Sequence, residues 1–397
     1  MSEWPHTLPP FLWGVATSSH QVEGDQPGND WTAWEEAGHT REPSGRAVDH
    51  WHRYPEDLRL FAALGANAYR LSLEWSRLEP DPGRFDADAF DHYRHMLEAA
   101  RAAGLEPLVT LWHFTVPRWF AAAGGWLHAD AVERFARFAD RAARELPGVR
   151  LWCTVNEPSV LAVMGYLQGV WPPGHRRVGE ARRVLDQQLK AHRRVYALIK
   201  NHAPDALVGV AHHLIHFRPW TDTPVNRAMV TLANRLFNAA PIRSLMDTQD
   251  YIGVNYYTCR YADWRRPLDP RPHRPGAALT DMGWEEDPQG LQVILETAAR
   301  WRKPIIVTEN GIATDDEDRR ARFIDAHIDA VGRARRAGAD VRGYFYWSAI
   351  DNFEWLEGYH PHFGLYAVDP DLTRRRKAGA EAFSRRAAAG WPEVSAP

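Results

Sequence analysis

Two cysteines in 397 residues, Cys153 and Cys259, are too few for a disulfide framework and lack metal-ligand spacing, so both are expected to be core thiols. Long hydrophobic runs are missing too. No segment reaches about 18 consecutive apolar residues, and the opening MSEWPHTLPPFLWG has no basic segment followed by an apolar one, which argues against a membrane span and a secretory leader. A cytoplasmic protein with no membrane partner is the expectation. A large excess of either charge is missing as well: 48 Lys and Arg against 51 Asp and Glu leave a formal net charge of −3, which offers nucleic acid no general attraction. The basic run Arg374–Lys377 is expected to open a helix with its charges in solvent. The acidic run Asp315–Asp318 lacks the Gly and distal Glu of a calcium loop and is expected to form the first turn of a helix, where negative charge is favourable.

A hydrophobic fraction of 45% with 25% charged residues is that of an ordinary folded protein with a large core. Tryptophan is the unusual entry, with 18 residues against 15 Phe and 13 Tyr. Indole offers a broad apolar face and one N–H donor, which suits ligands apolar on one face and hydroxylated at the edges, as sugars are; core packing accounts for many such residues.

Eight β-rich runs recur along the chain: FLWGVA (11–16), NAYRLSL (67–73), PLVTLWH (107–113), LWCTVN (151–156), LVGVAHH (207–213), YIGVNYY (251–257), PIIVTEN (304–310) and GYFYWSA (343–349). Helix-like segments lie between them, among them 55–64, 88–104, 130–145 and 320–338. The runs are continuously apolar rather than alternating, as in parallel strands covered on both faces. Eight βα units without a linker predict an α/β fold, a single (β/α)8 TIM barrel spanning 1–397, with a doubly wound open sheet as the alternative. Long loops are expected around the Pro-rich WPPGH (171–175) and RRPLDPRPHRPG (265–276).

In such a barrel the C-terminal strand ends converge on one open face, which holds the active site. Arg70 lies in the second run, His113 ends the third, and Asn156 and Glu157 end the fourth. Asn255 and Tyr257 end the sixth, Glu309 and Asn310 the seventh, and Trp347 lies in the eighth. TVNEP (154–158) and TENG (308–311) therefore bring two glutamates to one mouth. Two carboxyls about 5–5.5 Å apart are what retaining glycoside hydrolysis requires, one as nucleophile and one as proton donor and then base. Glu309 would attack in its ionised form, its pKa lowered by a neighbouring Arg70 and its carboxylate bonded by Tyr257, while Glu157 would begin protonated.

Several blocks in this order resemble glycoside hydrolase family 1, the β-glucosidase family, along nearly the whole chain. They are FLWGVATSSHQVEG (11–24), YRLSLEWSRLEP (69–80), TVNEPSV (154–160), DYIGVNYYT (250–258), TDMGWEEDPQGL (280–291), IVTENGI (306–312), YWSAIDNFEWLEGY (346–359) and HFGLYAVD (362–369). The resemblance implies a retaining β-glycosidase hydrolysing terminal non-reducing β-D-glucosyl residues of small β-glycosides or oligosaccharides, with β-galactosidase or β-fucosidase activity alongside. It implies Glu157 as acid/base and Glu309 as nucleophile. Gln21, His113, Asn156, Trp347, Glu354 and Trp355 match sugar-binding positions, and Arg70, Asn255 and Tyr257 match groups that support the nucleophile. No metal or organic cofactor is implied. Glu157, where thioglucosidases carry Gln, and the Glu354–Trp355 pair, which 6-phosphosugar enzymes replace, point to unphosphorylated O-glycosides. A transglycosylating enzyme and an inactive sugar-binding relative are the alternatives, and the presence of both carboxylates opposes the second.

The sequence departs from the family pattern at LWHFTVPRWF (111–120), which lacks the usual Trp-Asp after the histidine. It departs again at 214–249, which is short and lacks a Gly-Asp-Tyr-Pro block, implying a wider leaving-group entrance. His212, His213 and His216 match nothing in the family and are expected to be structural rather than metal ligands.

Overall fold

The computed structural model describes residues 4–267 and 269–390. Eight parallel strands close a barrel: β1 (Leu12–Ala16), β2 (Ala68–Ser72), β3 (Glu106–Thr110), β4 (Leu151–Asn156), β5 (Leu207–His213), β6 (Tyr251–Asn255), β7 (Ile305–Asn310) and β8 (Val341–Trp347). Each pairs with its neighbours in sequence, and β8 returns to β1 with Leu12 opposite Gly343 and Ala16 opposite Trp347. All eight apolar runs are strands of the expected (β/α)8 TIM barrel, and the open sheet is excluded by the closure. The third run ends as a strand at Thr110, so His113 sits in the loop beyond it.

Leu12, Ala68, Leu108, Leu151, Leu207, Tyr251, Ile306 and Phe345, one from each strand, pack into one cluster. Their neighbours along the strands, such as Trp13, Tyr69, Val109, Trp152 and Val307, pack with the helices instead. Period-two alternation thus divides an apolar run between two buried faces. Gly14 is required where it stands, because a Cβ there would lie 2.1 Å from the Phe345 ring.

The main helices are α1 (His50–Ala63), α2 (Ala87–Ala102), α3 (Ala131–Glu145), α4 (Val178–His202), α5 (Pro224–Ala233), α6 (Pro288–Ala298), α7 (Glu317–Arg336) and α8 (Ala380–Ala388). In α7 the apolar Phe323, Ile324, Ile328 and Val331 recur at helical spacing and are buried. The acidic run begins that helix as expected: Asp316 Oδ1 accepts from Arg319 N at 2.8 Å, with Glu317 and Asp318 in the first turn. Helix α1 runs through Pro55, its sixth residue, which has no N–H to give to the carbonyl of Trp51 one turn earlier, so the helix continues there with one backbone bond fewer. Both cysteines are free and buried, as expected.

The basic run departs from expectation. Arg374–Arg376 is a short strand paired with Tyr366–Val368, not the start of a helix. Its ends are buried rather than solvated: Arg374 makes a fork with Asp57 at 2.7 and 3.0 Å, and Lys377 Nζ lies 2.8 Å from Asp351 Oδ1. Distant carboxylates supply the pairing that local charge pattern could not reveal. Among the described residues, no helix is long and apolar enough to cross a membrane.

Candidate active site

The mouth of the barrel is built from strand ends whose backbones are bent to purpose. Glu157 follows β4 with φ at 44°, a left-handed conformation costing a non-glycine residue about 1–3 kcal/mol. It is held there by its N–H, which donates to Ala211 O at 2.8 Å, and by Pro158 opening the helix Pro158–Tyr166. In TENG, a Cβ at Gly311 would lie 1.7 Å from the Trp347 carbonyl oxygen, so only glycine lets the exit of β7 pass this closely against β8.

The two glutamates belong to one hydrogen-bonded chain. Arg70, fully buried in β2, pairs with Glu309 Oε1, and Tyr257 donates its hydroxyl to Glu309 Oε2 at 2.6 Å. The same guanidinium donates to Asn156 Oδ1 at 2.7 Å and to Thr110 Oγ1 at 3.2 Å. Asn255 Nδ2 donates to that Asn156 oxygen at 3.1 Å and to Glu157 Oε1 at 2.8 Å. Asn156 thereby joins the partner of one carboxyl to the partner of the other. The side chain of Asn255 was expected to support the nucleophile; it bonds Glu157 instead. Thr308 fixes that orientation by donating to Asn255 Oδ1 at 2.6 Å, which leaves the amide nitrogen facing Glu157.

Burial pushes the Glu309 carboxyl up from its ordinary value; Arg70 pulls it down and the charge of Glu157 adds to the rise. The expected lowering by Arg70 is present, but desolvation outweighs it. Because Tyr257 stabilises the ionised form, Tyr257→Phe is expected to raise the Glu309 pKa. The acid limb of the kcat/KM profile should then move to higher pH, and an unmoved limb would separate Tyr257 from the titration.

Gln21 donates through Nε2 to Glu354 Oε2 at 3.1 Å and to Phe353 O at 2.8 Å, while its Oε1 accepts from Ser18 Oγ at 2.7 Å. Burial, reinforced by the charge of Glu309, pushes the Glu354 carboxyl up to about 8 from an ordinary 4.5. The folded protein therefore holds a proton there that the unfolded chain releases, and the stability of the folded state falls as pH rises through that window. Glu354→Gln is expected to melt above the wild type by a margin that widens from pH 5 to pH 8. Thermal melts across this range test it, since a constant margin would mean that Glu354 titrates normally.

His113 shows its tautomer through its neighbour. Asn156 Oδ1 is occupied as an acceptor, so its Nδ2 donates to His113 Nε2 at 3.2 Å and the imidazole proton sits on Nδ1. That Nδ1 is buried with no partner among the described residues. Burial and the charge of Arg70 hold the ring neutral, well below the usual histidine range. Trp347 stacks on it at 5.8 Å and 20°, and Trp355 at 6.4 Å and 15°.

Three features escaped sequence reading. Asn310, one of the polar strand ends, turns away to bond Tyr256 O and the Tyr344 hydroxyl. Thr308 and Thr110 steer site residues from within strands that read simply as apolar runs. His213, expected to be structural with His212 and His216, places Nδ1 3.2 Å from Glu157 Oε1. The other two are structural, His212 facing Gln249 and His216 pairing with Asp287 beside α6.

The sequence model of glycosyl hydrolase family 1 matches residues 5–237 and 225–388. The chain belongs to this family. Beta-glucosidase A of Thermotoga maritima is 30% identical over 419 aligned positions, covering 92% of this chain and 94% of that protein. Among solved structures, a beta-glycosidase from Pyrococcus horikoshii superposes with a TM-score of 0.91 at 38% identity, covering 97% of this chain and 94% of the other. The Thermotoga maritima beta-glucosidase in complex with glucoimidazole superposes at 0.89 with 28% identity, covering 95% and 97%. The protein is thus a family 1 enzyme, a β-glycosidase.

Proposed function

We propose that this family 1 enzyme is a retaining β-glucosidase that removes terminal non-reducing β-D-glucosyl residues in two displacements. The observation that carries this reading is the unlike surroundings of two carboxyls linked through Asn156. Glu309 is paired with a guanidinium and a phenol, as an ionised nucleophile needs, whereas Glu157 has an amide and an imidazole on one oxygen.

In the first step Glu157 gives its proton to the glycosidic oxygen as the C1–O bond breaks, the bonding pair staying with that oxygen. Glu309 forms a new bond to C1 from the opposite face. In the second step the Glu157 carboxylate takes a proton from water as the water oxygen attacks C1, which releases Glu309 and a sugar of unchanged configuration. Gln21, His113, Asn156 and Glu354 are suited to the sugar hydroxyls and Trp347 to the apolar face of the ring. Support for a glucosyl group comes from the two Thermotoga maritima relatives, which are named as β-glucosidases, one of them in complex with glucoimidazole.

Proton NMR of the wild-type enzyme on an aryl β-glucoside is the test. β-Glucose is expected to appear first and α-glucose only by later mutarotation, and the reverse order would rule out the double displacement. Parallel kcat/KM values for aryl β-glucoside, β-galactoside and β-fucoside then rank the sugars.

A further inference from the structure

We infer that His213 is a positioning residue for Glu157: with Asn255 it occupies one carboxyl oxygen with hydrogen-bond donors, so that the proton bound for the leaving group resides on the other. This rests on reading Glu157 as the acid/base.

His213 and Asn255 end adjacent strands and stand opposite one another in register, which aims both side chains at the same oxygen. Asn255 Nδ2 reaches Glu157 Oε1 at 2.8 Å and His213 Nδ1 reaches it at 3.2 Å. Because Thr308 occupies Asn255 Oδ1, the amide can only donate there. A carboxyl oxygen accepting from two donors is the carbonyl-like one, and its acidic hydrogen belongs on Oε2. No hydrogen bond to Oε2 is made among the described residues, and the proton there is free to meet a glycosidic oxygen. The imidazole is held for this task, stacked on Tyr257 at 6.4 Å and 25° and set edge-on to Phe237 at 6.4 Å and 86°. The titratable groups facing it are Glu157 from the end of β4 and Tyr257 from beyond β6. Phe237, from the π-helical turn that continues α5, adds no charge. Arg70 and Glu309 lie on the other side of Asn156.

Two variants test the inference. His213→Leu removes the donor, and His213→Asn keeps an N–H where Nδ1 stands. The substrates are octyl β-glucoside, whose alkoxide must be protonated to leave, and 2,4-dinitrophenyl β-glucoside, whose phenolate leaves unaided. For His213→Leu, kcat/KM on the octyl glucoside is expected to fall about tenfold or more, part of the ~10²–10⁴-fold that general acid catalysis contributes, while the dinitrophenyl glucoside is nearly unaffected. His213→Asn should behave as the wild type on both. Equal losses on the two glucosides, no loss on either, or a His213→Asn variant as impaired as His213→Leu would overturn the inference. Glu157→Ala is assayed alongside: if it cleaves octyl glucoside at the wild-type rate, the acid/base reading fails and the role of His213 falls with it.

Discussion

Replacing Glu309 by alanine is expected to lower kcat on an aryl β-glucoside by on the order of 10⁴–10⁶-fold, the range seen when a covalent nucleophile is removed and only binding and electrostatic stabilisation remain. The loss should be of this size with every leaving group. Without a carboxylate at C1 no glycosyl–enzyme forms, however readily the leaving group departs. Arg70 would keep its bonds to Asn156, Thr110 and the Thr308 carbonyl, so the site should stay assembled. A thermal melt close to the wild type, together with the lost turnover, would locate the defect in chemistry. Retention of a tenth of the activity would mean that the attacking atom lies elsewhere.

Glu157→Ala should behave differently, and the difference is diagnostic. On octyl β-glucoside, kcat/KM is expected to fall by about 10²–10⁴-fold, the usual contribution of a positioned general acid. On 2,4-dinitrophenyl β-glucoside the same variant should lose little in kcat/KM, because the departing phenolate needs no proton. Its kcat should still fall, since water must now attack the glycosyl–enzyme without a base. Azide, which attacks C1 without giving up a proton, should restore turnover and yield the β-glucosyl azide. Uniform loss across both substrates with no azide effect would assign Glu157 a structural role.

The barrel was legible because continuous apolar runs at regular spacing have few other solutions once each strand must be covered on two faces. The polar strand ends, from Arg70 through Glu309, could be placed for the same reason: parallel strands carry all their C-terminal ends to one mouth. Strand limits were less so, as His113 shows by standing three residues beyond the end of β3. Long-range pairing was illegible. Arg374 resembled a solvated helix residue until Asp57 met it across 317 positions, and Asn255 resembled a partner of Glu309 until Thr308 turned its amide toward Glu157.

From its sequence alone this protein's order of strands, its two glutamates and the chemical kinds of group around them were determined, because covalent order and alternation settle which residues reach the barrel mouth. Only the tertiary structure decided which side chains share an oxygen. Three consecutive contacts, Thr308 to Asn255, Asn255 to Glu157 and His213 to Glu157, depend on the register of β5, β6 and β7 and on the left-handed turn at Glu157. A hydrogen bond is made or lost over less than an ångström, and that distance is set by barrel closure and packing rather than by any local run of residues.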